Sequence, residues 1–375
     1  MNRILNRGGN GNTSSPSTAV PSTSNSMDVP AGGMKPVTDK DVEKNGSGIS
    51  AKDHLTLRTV FMATLTAMGG FIFGYDTGQI SGFLEMPVFL QMFGQPGPVT
   101  TANPHGYHFT NVRSGLIVGL LSIGTLIGCL IGGPLANKIG RKFSVPIWCL
   151  VFCAGVTIQI AVADGQWVGI VMGRWLAGIG VGGLSVLVPL YMAETSPVPV
   201  RGAVISCYQL FITLGIFTAD CINFGTETRT DTGSYRIPMG VGYIWAIILG
   251  LGILLLPETP RYDWNHGRSD RALTTMAKFY GVPEDSKLIQ TEAAEIEKVM
   301  QATKGDHPWW EALTGPRMLY RVLLAMGLQT LQQLTGANYF FYYGTTVFNK
   351  CPHSFSQSQI ESLKLSIPVT HGTVT

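Results

Sequence analysis

Two charged side chains stand where charge is expensive. Asp76 lies in Gly74-Tyr75-Asp76-Thr77-Gly78 and Arg174 in Gly173-Arg174-Trp175, each inside a long apolar stretch. A charge in such a stretch is a functional candidate by default. Burial favours the neutral acid, whereas a nearby guanidinium favours the carboxylate. An Asp–Arg pair that breaks and re-forms with conformation can bind and release a proton. A pair that stays closed only fixes helix packing. Asp220, near the end of another apolar stretch, reads as an interfacial residue. Amides form a second set: Gln209, Gln332, Gln333 and Asn338. Each offers two donors and an acceptor, which suits neighbouring hydroxyls on a sugar. The aromatics Phe73, Phe340, Phe341, Tyr342 and Tyr343 could pack against the apolar face of a sugar ring. Bonding between helices explains such amides equally well.

These residues must be positioned by helices in a membrane. Of 375 residues, 45% are hydrophobic and only 13% charged. A soluble protein carries about 25% charged residues. The composition therefore excludes a disordered chain and argues against a soluble enzyme. The net charge of +3 is too small for a nucleic-acid binder. The six cysteines suggest no disulfide framework, since most sit in apolar runs. A spanning helix needs about 20 apolar residues. Seven stretches qualify: 59–80, 113–135, 143–163, 167–190, 203–223, 237–257 and 318–346.

Residues 1–58 are polar, rich in Ser, Gly and Pro, and read as a disordered tail. Residues 59–257 form a six-helix bundle and 258–317 a charged insert with short helices. Residues 318–348 form the seventh helix and 349–375 a polar tail. Basic residues favour the cytoplasmic side of short loops. Lys138, Arg141 and Lys142 follow span two, and Arg201 follows span four. The loop after span three carries only Asp164. This puts the N-terminus in the cytoplasm, although Arg229 and Arg236 after span five break the pattern. Six spans and a central insert make the first half of a six-plus-six transporter. The length of 375 residues cannot hold twelve spans besides the tail and insert, so the chain reads as truncated, with half a site and no transport by itself.

Small residues every fourth position let helices approach closely. Gly124, Gly128 and Gly132 do this on span two, and Gly169 with Gly173 and Gly178 with Gly182 on span four. The run Gly178-Ile179-Gly180-Val181-Gly182-Gly183 superficially matches a dinucleotide loop, but that loop must sit between a strand and a helix. Three turn-and-charge motifs share one face of the membrane. They are Gly140-Arg141-Lys142, Glu194-Thr195-Ser196-Pro197 with Arg201-Gly202, and Pro257-Glu258-Thr259-Pro260-Arg261. They could form a salt-bridge latch, or the basic residues could merely set topology.

These motifs, in this order and with Gln332-Gln333-Leu334-Thr335-Gly336-Ala337-Asn338, resemble the sugar porter family of the major facilitator superfamily, and fungal hexose transporters within it. The resemblance covers about residues 55–348. It implies an all-α integral membrane fold: an N-terminal six-helix bundle of 3+3 inverted repeats, an intracellular helical domain and a seventh helix, with the last five helices missing. It implies that Asp76 and Arg174 couple a proton, the only cofactor expected. Phe73, Gln209, Gln332, Gln333 and Asn338 match the sugar site. Arg141, Lys142, Glu194, Arg201, Glu258 and Arg261 match the cytoplasmic latch. Asn137 stands where the family usually has an aspartate, which weakens the latch.

The implied function is monosaccharide transport, most simply of a hexose, by proton symport at the plasma membrane. The alternatives are an uncoupled uniporter and a transporter-like sugar sensor. The expected partners are the sugar and the bilayer, with no obligate protein partner and no nucleic acid. No catalytic set is expected and no metal site, since His105 and His108 lack a third ligand.

Overall fold

A computed structural model describes residues 57–99, 106–302, 315 and 318–350. The expectations for the N-terminal tail before 57, for His105 and for the polar tail after 350 lie outside the described residues.

Among the described residues, six helices are long and apolar enough to cross a membrane. They are α1 (Leu57–Phe83), α3 (Asn111–Ile139), α4 (Arg141–Ala161), α5 (Trp167–Thr195), α6 (Val198–Thr226) and α7 (Gly233–Leu255). Between α1 and α3 lie the short α2 (Pro87–Phe93) and a two-stranded ribbon, β1 (Gln95–Pro96) paired antiparallel with β2 (Tyr107–His108). The insert folds as α8 (Pro260–Asn265), α9 (Ser269–Tyr280) and α10 (Lys287–Ala302). Helices α11 (Met318–Leu334) and α12 (Ala337–Lys350) follow. The longest spans have 29 residues. At 1.5 Å per residue they reach about 43 Å, more than the ~30 Å hydrocarbon core. Their ends therefore project into the polar interface, where the loop charges sit.

The seventh stretch departs from expectation. Residues 318–346 read as one span, but the helix breaks at Thr335-Gly336. Gly336 has φ +74°, a left-handed turn that favours glycine. The Thr335 hydroxyl donates to the Gln332 carbonyl at 2.6 Å, and the Gly336 N–H donates to the Gln333 carbonyl at 3.1 Å. These bonds close α11 before α12 begins. The halves have 17 and 14 residues, each short of the ~20 that a spanning helix typically has. Transporters build substrate sites from such interrupted helices.

Within the bundle, α1 packs most heavily on α6 and α3 on α5, while α4 lies between α5 and α7. The first helix of each triplet thus pairs with the second helix of the other. Because each triplet has an odd number of spans, the triplets run in opposite senses. This is the arrangement of inverted repeats. Helices α1 and α5 are central, with 61% of their apolar windows buried against 17% for α6.

Glycines permit these contacts. Gly70, Gly74, Gly78 and Gly82 form a stripe on α1, one helical turn apart. A Cβ on Gly74 would overlap the Ile212 carbonyl of α6, and Gly215 of α6 meets the Phe71 carbonyl in return. On the other pair, Gly124 and Gly128 of α3 lie against the Trp175 and Ile179 carbonyls, while Gly178 and Gly182 of α5 lie against those of Leu121 and Thr125. The sequence spacing anticipated the α3 and α5 glycines but not the α1 stripe. Gly169 and Gly173 instead accommodate Val162 and the Gly155–Gln159 turn.

Overpacking of this kind costs about 1–3 kcal/mol or more. Gly74→Ala should lower the thermal stability of the purified protein by that amount. Gly119→Ala, where a Cβ meets nothing within 4 Å, should leave stability unchanged or slightly raised, as helix propensity requires. Equal melting temperatures for Gly74→Ala and the parent protein would show that the backbones do not approach as described.

Candidate functional site

The central helices bring together the two intramembrane charges. Asp76 and Arg174 are 1% and 0% exposed. Asp76 Oδ2 lies 3.8 Å from Arg174 Nη2. The other carboxylate oxygen, Oδ1, accepts a hydrogen bond from Gln79 Nε2 at 2.8 Å. Arg174 Nε donates to the Ile117 carbonyl of α3 at 3.0 Å, which ties α5 to α3 at this level. Among the described residues, Asp76 Oδ2 and Arg174 Nη1 and Nη2 have no hydrogen-bond partner. The ion contact is therefore looser than a bidentate pair, whose bonds run near 2.8 Å. Such a pair can open without breaking a tight fork.

Tyr342 of α12 faces the same place. It is oriented to Thr77 of α1 and Ser122 of α3 and lies within electrostatic range of Arg174 and Asp76. Sequence reasoning had grouped Tyr342 and Tyr343 with the sugar-facing aromatics. In the structure both pack against the main core, and α12 packs on α1. Phe73 is also partly buried against that core.

The amides are differently disposed. Gln209 is exposed on α6. Gln332, Gln333 and Asn338 are exposed around the break between α11 and α12. Asn338 Nδ2 donates to Gln333 Oε1 at 2.7 Å, bridging the break. No hydrogen bond among the described residues joins Gln209 to that group. The Gln333–Asn338 bond joins α11 to α12, as helix–helix bonding expects, and among the described residues the side chains of Gln209 and Gln332 make no hydrogen bond.

On the face that carries the Gly-Arg-Lys loop, three helix ends are held by carboxylates. Arg141 Nη2 donates to Glu194 Oε1 at 3.2 Å, and its Nε lies 3.2 Å from Oε2. The Arg141 guanidinium also stacks 5.6 Å from the centre of the Tyr262 ring. Glu258 caps the start of α4. Its Oε1 accepts from the N–H groups of Arg141 (3.1 Å), Lys142 (3.2 Å) and Thr259 (2.9 Å). A carboxylate at a helix N-terminus satisfies unpaired N–H groups and complements the helix dipole. Gly140, at φ +101°, makes room for it, because a Cβ there would overlap Glu258 Oε2. Glu292 of α10 repeats the device at α6, accepting from Val198 N–H at 3.3 Å and from the Tyr280 hydroxyl. Arg201 lies 3.9 Å from Glu292 and donates to the Ser196 carbonyl at 3.1 Å.

Two expected latch charges play other parts. Lys142 contributes its backbone N–H, while its ammonium sits over the Phe143 ring at 6.0 Å. Arg261 is exposed, and no ion pair among the described residues includes it. It lines a cavity of about 470 Å³ together with Glu194, Arg201, Tyr280 and Glu292. Glu292 and Gln79 were missed from sequence. Gln79 was within reach, since a residue three positions on lies beside Asp76 on a helix. Glu292 sits in a run of glutamates, and nothing local marks it as the buried one.

Removing one member of a buried ion pair leaves the other uncompensated, at about 3–5 kcal/mol. Arg141→Ala should destabilise the purified protein by that order, and Glu194 should be the cause. The double variant with Glu194→Gln should therefore recover part of the loss. Burial pushes the carboxyls of Glu258 and Glu292 above the ordinary 4.5, against the N–H bonds and cations that oppose it. A group that binds its proton more tightly folded than unfolded makes stability fall as pH rises through that interval. The melting temperature should accordingly drop as pH is raised from 4.5. A rise instead would mean that the N–H bonds outweigh burial.

Comparison with known proteins gives this arrangement its family. The model of the family described as "Sugar (and other) transporter" matches residues 62–363. The low-affinity glucose transporter HXT3 of Saccharomyces cerevisiae is 41% identical over 288 residues, which is 76% of this chain and 50% of the relative. The high-affinity fructose transporter ght6 of Schizosaccharomyces pombe is 39% identical over 294 residues, 77% of this chain and 54% of the relative. The chain thus spans about half the length of the curated relatives it matches. Among solved structures, a partially occluded inward-open form of the xylose transporter XylE from E. coli superposes with a TM-score of 0.63 at 23% identity. That match covers 78% of this chain and 67% of the other. A form of XylE bound to 6-bromo-6-deoxy-D-glucose also gives a TM-score of 0.63, covering 82% of this chain and 65% of the other. This likeness establishes the fold. A family match over most of the residues, together with this fold, means that the chain belongs to the sugar transporter family.

Proposed function

We propose that this chain takes part in carrying a monosaccharide, a hexose such as glucose, across the plasma membrane by proton-coupled alternating access. The observation that carries the proposal is the buried Asp76–Arg174 pair, held at 3.8 Å between the two central helices. A carboxylate that is neutral when protonated leaves Arg174 free to shift toward other acceptors. Protonation and helix movement are thereby linked, since α1 and α5 carry one member each.

The substrate class rests on complementary chemistry. The exposed amides of Gln209, Gln332, Gln333 and Asn338 supply both donors and acceptors. Each sugar hydroxyl also donates and accepts, so adjacent hydroxyls match adjacent amides. The yeast relatives bear the names of glucose and fructose transporters, which supports a hexose. Phe73 would offer an apolar face to the ring. In this reading the Arg141–Glu194, Glu258 and Glu292 contacts lie on the cytoplasmic side, as does the N-terminus. They hold α4, α5 and α6 to the insert while the bundle rocks as one body.

The test is Asp76→Asn in the complete transporter carrying this sequence. It should abolish uphill accumulation of labelled glucose and leave exchange at equal concentrations within about twofold, because neutral Asn mimics the protonated acid. Undiminished accumulation would remove the coupling role. Loss of exchange along with accumulation would assign the pair to packing instead.

A further inference from the structure

We infer that Gln79 is a positioning residue that serves both protonation states of Asp76 and so sets how readily the proton binds. The inference rests on the proton-coupling reading of Asp76. It begins with a contrast in geometry. Arg174 Nη2 stands 3.8 Å from Asp76 Oδ2, beyond hydrogen-bond distance. Gln79 Nε2 is 2.8 Å from Oδ1, a full hydrogen bond. The direct, directional contact to the carboxylate therefore comes from the amide and not from the guanidinium.

Gln79 is itself fixed. It is 2% exposed. Its backbone carbonyl accepts from Asn223 Nδ2 of α6 at 3.0 Å. The glycines at 78 and 82 let α6 come close on either side of it. Its own Oε1 is buried, with no donor among the described residues.

That free oxygen matters when the proton arrives. A guanidinium only donates, so it cannot accept the new O–H of a neutral Asp76. An amide both donates and accepts. In the ionised state Gln79 Nε2 donates to the carboxylate. After protonation, a half-turn of the amide presents Oε1 to the acid O–H. The buried site keeps a partner in each state and avoids the cost of an unsatisfied polar group. A bond to a charged acceptor is worth more than one between neutral groups, so on balance Gln79 favours the carboxylate. The other groups facing Asp76 are Arg174 from α5, Tyr342 from α12 and Tyr75 on α1 itself. Ser122 of α3 lies near Tyr342, and the Trp245 ring of α7 meets that of Tyr75 edge-on at 6.4 Å. Helix α6 supplies Asn223, with Asp220 one turn before it.

The experiment is an infrared pH titration of the full chain in lipid bilayers. The protonated-carboxyl band of Asp76 is identified by its loss in Asp76→Asn. Gln79→Met keeps the volume and removes both the donor and the acceptor. Its Asp76 band should persist to higher pH, with the midpoint raised by roughly one unit, as a charged hydrogen bond exchanged for none requires. Gln79→Glu keeps the shape and adds a second carboxyl. It should raise the midpoint further and split the titration into two coupled steps. A packing role alone would change band widths or stability without moving the midpoint. An Asp76 band with the same midpoint in both variants would overturn the inference by itself. Failure of Asp76→Asn to remove any band would overturn the proton-site reading and this inference with it.

Discussion

The close approach of α1 to α6 and of α3 to α5 is the constraint on which the rest of the structure depends. Lipid tails are as apolar as leucine, so helices in a bilayer gain little from hiding apolar surface. They associate through packing, and packing is strongest where glycine lets backbones touch. The stripe from Gly70 to Gly82 on α1 and the facing glycines of α3 and α5 bring four helices within backbone contact. That contact makes α1 and α5 the most buried spans. It is also what places Asp76 and Arg174 opposite each other in a dry interior. A bulkier stripe would hold the helices apart and admit water or lipid to the pair.

The loop face uses a different principle. Here helix ends must be satisfied at the membrane surface, and the insert supplies the carboxylates. Glu258 closes α4, and Glu292 closes α6. Both helices begin at this face, where their N–H groups lie unpaired. Arg141 then ties α4 to α5 through Glu194. These contacts are therefore mainly helix caps, with ion pairs layered on top. This explains why Lys142 serves through its backbone and why Gly140 cannot carry a side chain. It also gives the insert a structural reason to exist, since its helices carry the groups that end the bundle. The sugar-transporter family membership and the six-helix architecture belong together in this respect.

Much of this was legible in the sequence. Six spans follow from unbroken apolar runs, and Asp76 and Arg174 stand out as the charges inside them. Arg141 and Glu194 were readable as partners because both fall in loops on one face. The seventh stretch misled because its apolar content continues through Leu334-Thr335-Gly336-Ala337. Hydropathy does not register a left-handed glycine. The α1 glycines had the right spacing, yet four glycines gain meaning only once α6 is known to face them. Glu258 capping α4 joins residues 117 positions apart through backbone N–H groups, which leave no side-chain signature. Tyr342 was legible as an aromatic near the site, but its packing against the core beside α1 depends on the turn at Gly336.

In the proposed function, sugar movement and proton movement are one event at Asp76. The most direct test is the external pH of a lightly buffered suspension of cells expressing the complete transporter, followed as glucose is added. Coupling at Asp76 requires an immediate alkalinisation that scales with glucose uptake and is absent with Asp76→Asn. Glucose uptake at the same rate with no change in external pH would contradict it.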